Sequence, residues 1–214
     1  MEKVKPFKNA LILFTFLLIF WGCYRLLFKL PDEVEELVFK PLIWLLPVMY
    51  FIKQEKTNLK SVGLTFTNLF PAIYSALALG SLFAIESVIA NFLKYGQFNF
   101  AANLGTQTLF ASLGLSFITA ISEEIAFRGF IFGRINQALS HEWLANLITS
   151  TFWVIIHIPV TIFVNKLDPV AAFVYLFLTF IFGVGSAFLY ARTKNITSSI
   201  LLHVLWEWPI ILFR

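Results

Sequence analysis

Seven apolar runs leave this 214-residue chain little choice of fold: residues 10–28, 37–52, 69–92, 109–132, 143–163, 170–190 and 198–213. In hydrocarbon every backbone N–H and C=O must be paired within the protein, so only helices and closed barrels span a bilayer. A spanning helix needs about 20 apolar residues, whereas a spanning strand needs about 10. The runs have helix length, and the chain reads as all-α: a polytopic membrane bundle of about seven transmembrane helices. We expect a single domain over residues 1–214, with the chemically informative residues in a core at about 109–213. Only 13% of the residues are charged, about half the share of a soluble domain, so a water-facing exterior cannot be built from them. Pro41, Pro47 and Pro71 fall near helix starts or inside the second run, where lipid-embedded helices tolerate kinks.

Cys23 is the single cysteine. It can close no internal disulfide or paired-cysteine metal site, and is expected to be a small buried or lipid-facing side chain. Lys3, Lys5 and Lys8 before the first run imitate a signal peptide. No small-residue cleavage site follows and the run continues to Phe28, so this segment is expected to remain as a first helix. The basic residues alternate between the two ends of the helices. Lys3, Lys5, Lys8, Lys53, Lys56, Lys60, Arg128, Arg134, Arg192 and Lys194 fall on one side, against Arg25, Lys29, Lys40, Lys94, Lys166 and Arg214 on the other. This 10-to-6 division of the 16 Lys and Arg places the N-terminus in the cytoplasm and the C-terminus outside. The net charge of +4 is accounted for by cytoplasmic loops, and no nucleic-acid partner is expected.

Five ionisable residues inside apolar runs are taken as candidates, because each costs about 2.5–3.5 kcal/mol or more there and marks a functional site by default. Glu123 and Glu124 lie in the fourth run, His157 in the fifth, His203 and Glu207 in the last. Glu124 and Arg128 are four apart and share a helix face, as do His203 and Glu207. Glu123 points about 100° away from that ion pair. At about 1.5 Å per residue, Glu123 lies about 15 Å, His157 about 20 Å and His203 about 10 Å from the cytoplasmic helix ends. Similar depth on three helices predicts one inward-facing cavity, reachable from the cytoplasmic side.

A carboxylate and an imidazole around a water can act as its general base, and a second imidazole can meet the developing oxyanion. Two histidines and a glutamate are also a plausible zinc set. The HExxH spacing that would support zinc is absent, so no cofactor is expected. Bland readings exist for each part: a structural Glu124–Arg128 pair, a packing His157, or a His203–Glu207 proton relay.

The order of these residues resembles the CPBP family of intramembrane proteases, the CAAX-protease and bacteriocin-processing group also called the Abi family. Its Glu-Glu-x-x-x-Arg motif is met by Glu123, Glu124 and Arg128, followed by Gly129. Its Phe-x-x-x-His corresponds to Trp153 and His157, and its Gly-rich helix to Phe180, Gly183 and Ala187 with Arg192 and Thr193. Its His-x-x-x-Asn corresponds to His203 and Glu207, a Glu in place of Asn, and Val62-Gly63-Leu64 is a further likeness. The resemblance implies that Glu123 and His157 activate the attacking water, that His203 lines the oxyanion site, and that Glu124 and Arg128 brace it. An ionised Glu207 cannot donate as Asn does, and it is expected to orient the His203 ring instead. Gly183, Gly185, Ser186 and Ala187 would let helices approach closely beside the site.

The expected function is therefore an intramembrane endopeptidase of the glutamic type, with a peptide or membrane-protein substrate and the lipid bilayer, in the plasma membrane, as surroundings. The alternative is a non-catalytic membrane adaptor or bacteriocin-immunity-type protein of the same fold. A proton-coupled transporter is disfavoured, because no repeat or pair of broken helices is visible.

Overall fold

The structure, a computed structural model, describes residues 4–28, 30–98 and 108–213. Lys3, Lys29 and Arg214 of the charge count lie outside the described residues, as does the side chain of Lys94. In chain order the elements are α1 (Val4–Leu27), α2 (Asp32–Val34), α3 (Lys40–Gln54), α4 (Leu69–Tyr95), α5 (Leu109–Glu124), α6 (Gly133–Leu139), α7 (Glu142–Pro159), α8 (Pro169–Thr193) and α9 (Thr197–Phe213). A 3₁₀ turn (Leu59–Val62) precedes α4, and π-helical stretches occupy Glu35–Phe39, Ile125–Phe132 and Val160–Val164. No strand occurs among the described residues.

Among the described residues five helices have the length and apolarity to cross a bilayer: Val4–Leu27, Leu69–Ile89, Leu109–Leu139, Glu142–Val164 and Pro169–Thr193. The other two expected spans are shorter, α3 with 15 residues and α9 with 17, or about 22 and 25 Å. In the second run the π turn Glu35–Phe39 and Pro41 account for the shortening: α3 begins only at Lys40, with Pro41 in its first turn and Pro47 inside it.

Each helix buries one stripe and leaves the rest to lipid. In α1 the buried stripe is Ala10, Leu13, Phe14, Leu17, Trp21 and Tyr24, at helical spacing, while Cys23 is exposed on the outer face. The centre is a chain of rings from five elements. Trp44 packs on Phe127, Phe127 edge-on against Trp153, Trp153 against Phe182, and Phe182 stacks on Trp206 with centroids 4.6 Å apart.

The end of the bundle that carries the N-terminus is tied by hydrogen bonds. Asn195 donates through Nδ2 to the carbonyls of Thr65 and Thr67, both at 2.8 Å, and Ile196 N–H donates to Gly63 O at 2.9 Å. Gly63 has φ +81°, and a Cβ there would stand 2.5 Å from the Tyr190 ring, so the turn needs glycine on both counts. Gly129 likewise admits the Val62 carbonyl, which a Cβ would meet at 2.7 Å. These contacts fix where α9 starts, and hence the height of His203.

Candidate active site

All three π-helical stretches adjoin residues of one cavity. Glu36 lies in the first, Glu123 and Glu124 immediately precede the second, and His157 comes just before the third. Pro159 explains the third, because it has no N–H to continue the ladder. No proline accompanies the second; there the chain widens around the buried Arg128 and the tight Gly129 approach. Such wide turns recur at functional sites, since they re-aim side chains at the cost of helical hydrogen-bond geometry.

The cavity has a volume of about 410 Å³ and is lined by Glu123, His157, His203 and Glu207, together with Glu36, Lys40 and the rings of Trp21, Trp44, Tyr175 and Trp206. The sequence expectation that Glu123, His157 and His203 share one cavity is met. Glu124 is different: it lies behind the wall, fully buried, and is not among the lining residues. Its Oε1 accepts from Arg128 Nη1 at 3.0 Å and from His203 Nδ1 at 2.8 Å, while Oε2 accepts from Ser186 Oγ at 2.7 Å. Glu124 thus joins α5, α8 and α9 and fixes the His203 ring. The remaining faces of Arg128 lie under rings, with Cζ 4.4 Å from the Trp153 centroid and 5.3 Å from that of Phe182, a cation–π enclosure in place of further hydrogen bonds.

His203 Nε2 stands 3.8 Å from Glu123 Oε2. The orienting role expected of Glu207 therefore falls to Glu124: no hydrogen bond joins His203 to Glu207 among the described residues, and Glu207 Oε2 is buried without a partner there. The physical reason is that residues four apart share a face but also compete for it, and the ring turns toward the carboxylate already held by Arg128. His157 donates through Nδ1 to the Trp153 carbonyl at 2.7 Å. Trp153 also packs its ring 4.5 Å from that of His157 and 5.9 Å from that of His203, so one indole spaces both imidazoles.

Two site residues escape a reading of the apolar runs. Lys40, counted above as a loop charge, is buried, and its Nζ lies 2.9 Å from Glu123 Oε1 and 2.6 Å from Glu36 Oε2. Glu36 in turn accepts from the Thr119 hydroxyl. The Glu36–Lys40 spacing of four was the available signal. Arg128 is also no loop charge, so the basic division becomes 9 against 5, with the same sign. Glu86 was passed over as well; it stands on the outer face of α4 within a spanning segment and does not line the cavity.

The cavity's position corrects a second expectation. Its wall includes Arg25 near the end of α1, Ser112 near the start of α5, Asn165 beyond α7 and Tyr175 near the start of α8. All lie toward the end of the bundle opposite the N-terminus, the end marked by the Arg25–Glu35 ion pair. Sequence reading expected access from the side of the N-terminus, whereas these wall residues lie toward the opposite end.

Residues 105–209, about half of the chain, match the model of the family described as type II CAAX prenyl endopeptidase Rce1-like. The chain belongs to that family. Glu123, Glu124, Arg128, His157, His203 and Glu207 all fall inside the Rce1-like segment, whereas Glu36 and Lys40 come from outside it. No curated protein and no solved structure matches the chain. In this Rce1-like chain no three His, Cys, Asp or Glu side chains among the described residues are grouped so as to hold a metal ion.

Proposed function

We propose that this protein is an intramembrane endopeptidase that hydrolyses a peptide bond with a water activated by Glu123 and His157. The observation that carries this reading is the convergence of Glu123, His157 and His203, from three helices, on one cavity within the bundle. Glu123 is the general base. His157, whose Nδ1 is committed to a carbonyl, presents its Nε2 lone pair to the same water in the neutral form. His203, held by Glu124, lines the side on which the oxyanion forms. Arg128 holds Glu124 in place through their ion pair and takes no direct part. The Rce1-like family match supports a peptidase, and the apolar spans support a substrate that reaches the site from the membrane.

The 9-to-5 charge division supports a cytoplasmic N-terminus and an outside C-terminus, and we place the protein in the plasma membrane. With that orientation the cavity opens on the non-cytoplasmic side. The decisive experiment is cleavage of a peptide library by the purified chain in nanodiscs, wild type against Glu123→Gln. Sequence-selective cleavage by wild type and none by the variant is expected. Equal cleavage by both would remove Glu123 from the base role, and binding without cleavage by either would favour the adaptor reading.

A further inference from the structure

Glu123 and Glu124 are neighbours at the end of α5, and each carboxylate meets a cation of its own. Glu124 turns behind the wall to Arg128, at 3.0 Å, whereas Glu123 lines the cavity with its Oε1 2.9 Å from Lys40 Nζ. A brace matters at this point of the chain. The π-helical stretch Ile125–Phe132 begins two residues after Glu123, and such a wide turn re-aims the side chains beside it. A glutamate left free samples several staggered rotamers, while a reacting group must be held close to one geometry.

Lys40 is itself held. Glu36 lies four residues before it, and Glu36 Oε2 stands 2.6 Å from Nζ. The Thr119 hydroxyl donates to that same oxygen, and Thr119 stands one turn before Glu123 on α5. Two four-residue steps, Glu36–Lys40 and Thr119–Glu123, thus face each other and close a ring of four side chains, all of which line the cavity. The ring joins two parts of the chain: Thr119 and Glu123 belong to the Rce1-like segment, 105–209, and Glu36 and Lys40 do not. On its open side the Trp21 ring centroid lies 5.3 Å from Nζ.

We propose that Lys40 is a positioning residue for Glu123: by holding Oε1 it leaves Oε2 as the oxygen that takes the water proton. The role rests on the endopeptidase reading above. Oε2 is the oxygen that faces His203, 3.8 Å from its Nε2, so the free edge of the carboxylate points across the cavity that both residues line. Glu36 has the complementary task. When Glu123 takes the proton and becomes neutral, Lys40 still has the Glu36 carboxylate, so the reaction leaves no unpaired buried cation, a costly state. Lys40 acts only through Glu123, and His203 keeps the side on which the oxyanion forms.

The test uses the full chain in nanodiscs and a peptide that wild type cleaves. Lys40→Met should lower kcat by about 10²-fold, the effect of misplacing a reacting group by about 1 Å, with KM within about twofold. Lys40→Arg, which keeps a cation between the two carboxylates, should return kcat to within about tenfold of wild type. Where Lys40→Met does not fold, Lys40→Met/Glu36→Gln, which removes both members of that ion pair, should show the same kcat loss. Four results would overturn the role while leaving the endopeptidase reading intact: wild-type kcat in a folded Met chain, a loss confined to KM, a Lys40→Arg chain no faster than the Met chain, or failure of both Met chains to fold, which would make Lys40 structural. A wild-type chain that cleaves no peptide would overturn that reading and this role together.

Discussion

Breaking the Glu124–Arg128 pair should unfold much of this protein, and replacing both partners should not. Both side chains are fully buried, joined at 3.0 Å, and Glu124 also receives His203 and Ser186. Arg128→Met keeps most of the side-chain volume between Trp153 and Phe182 but leaves the buried Glu124 carboxylate with only the His203 and Ser186 donors. Losing one member of a buried pair costs about 3–5 kcal/mol, and the lost cation–π contacts add about 1–2 kcal/mol. Against a total of about 5–15 kcal/mol, that is a large fraction of the stability. Glu124→Gln alone strands Arg128 and should cost a similar amount. In Arg128→Met/Glu124→Gln no unpaired charge remains, so the double variant should be at least about 2 kcal/mol more stable than the sum of the single losses requires. Denaturant unfolding in detergent, followed by tryptophan fluorescence, completes the double-mutant cycle. Additive losses, or single losses under about 1 kcal/mol, would refute the view that this pair is the electrostatic keystone of the helix junction.

Glu123→Gln should lower turnover by at least about 10²-fold, the scale of general-base catalysis, with an unchanged unfolding midpoint, because Lys40 keeps its ion pair with Glu36; an equal loss of stability would make the residue structural. Ser186→Ala removes one donor to a buried carboxylate and should cost about 1.5–3 kcal/mol in the same unfolding assay. Gly129→Ala would place a Cβ 2.7 Å from the Val62 carbonyl and should cost about 1–3 kcal/mol as the turn is pushed away. Glu207→Asn should keep or raise turnover, since Glu124 holds His203; a clear drop would restore an orienting role to Glu207.

Much was legible before folding. The apolar runs determined an all-α membrane bundle because hydrocarbon admits few other ways to pair a backbone. The five candidate ionisable residues in those runs marked the site because each is too costly to keep without a use, and four of them do line one cavity. Helical period also foretold the Glu124–Arg128 pair, since four-residue spacing is a local property of one helix. Period is silent, however, about which face of a helix meets which neighbour. Glu124 turned out to brace His203 from 79 residues away and Ser186 from 62, and among the described residues no hydrogen bond joins His203 to Glu207, where sequence spacing suggested an orienting contact. Lys40 read as a loop charge because it begins a short helix interrupted by prolines; only packing of α3 against α5 brings it to Glu123. The position of the cavity was likewise invisible in one dimension, because residues from many elements line it. Sequence determined which residues could not be left to lipid. Tertiary structure decided which of them meet, because burial leaves a charge no option but the nearest opposite charge or donor that packing supplies.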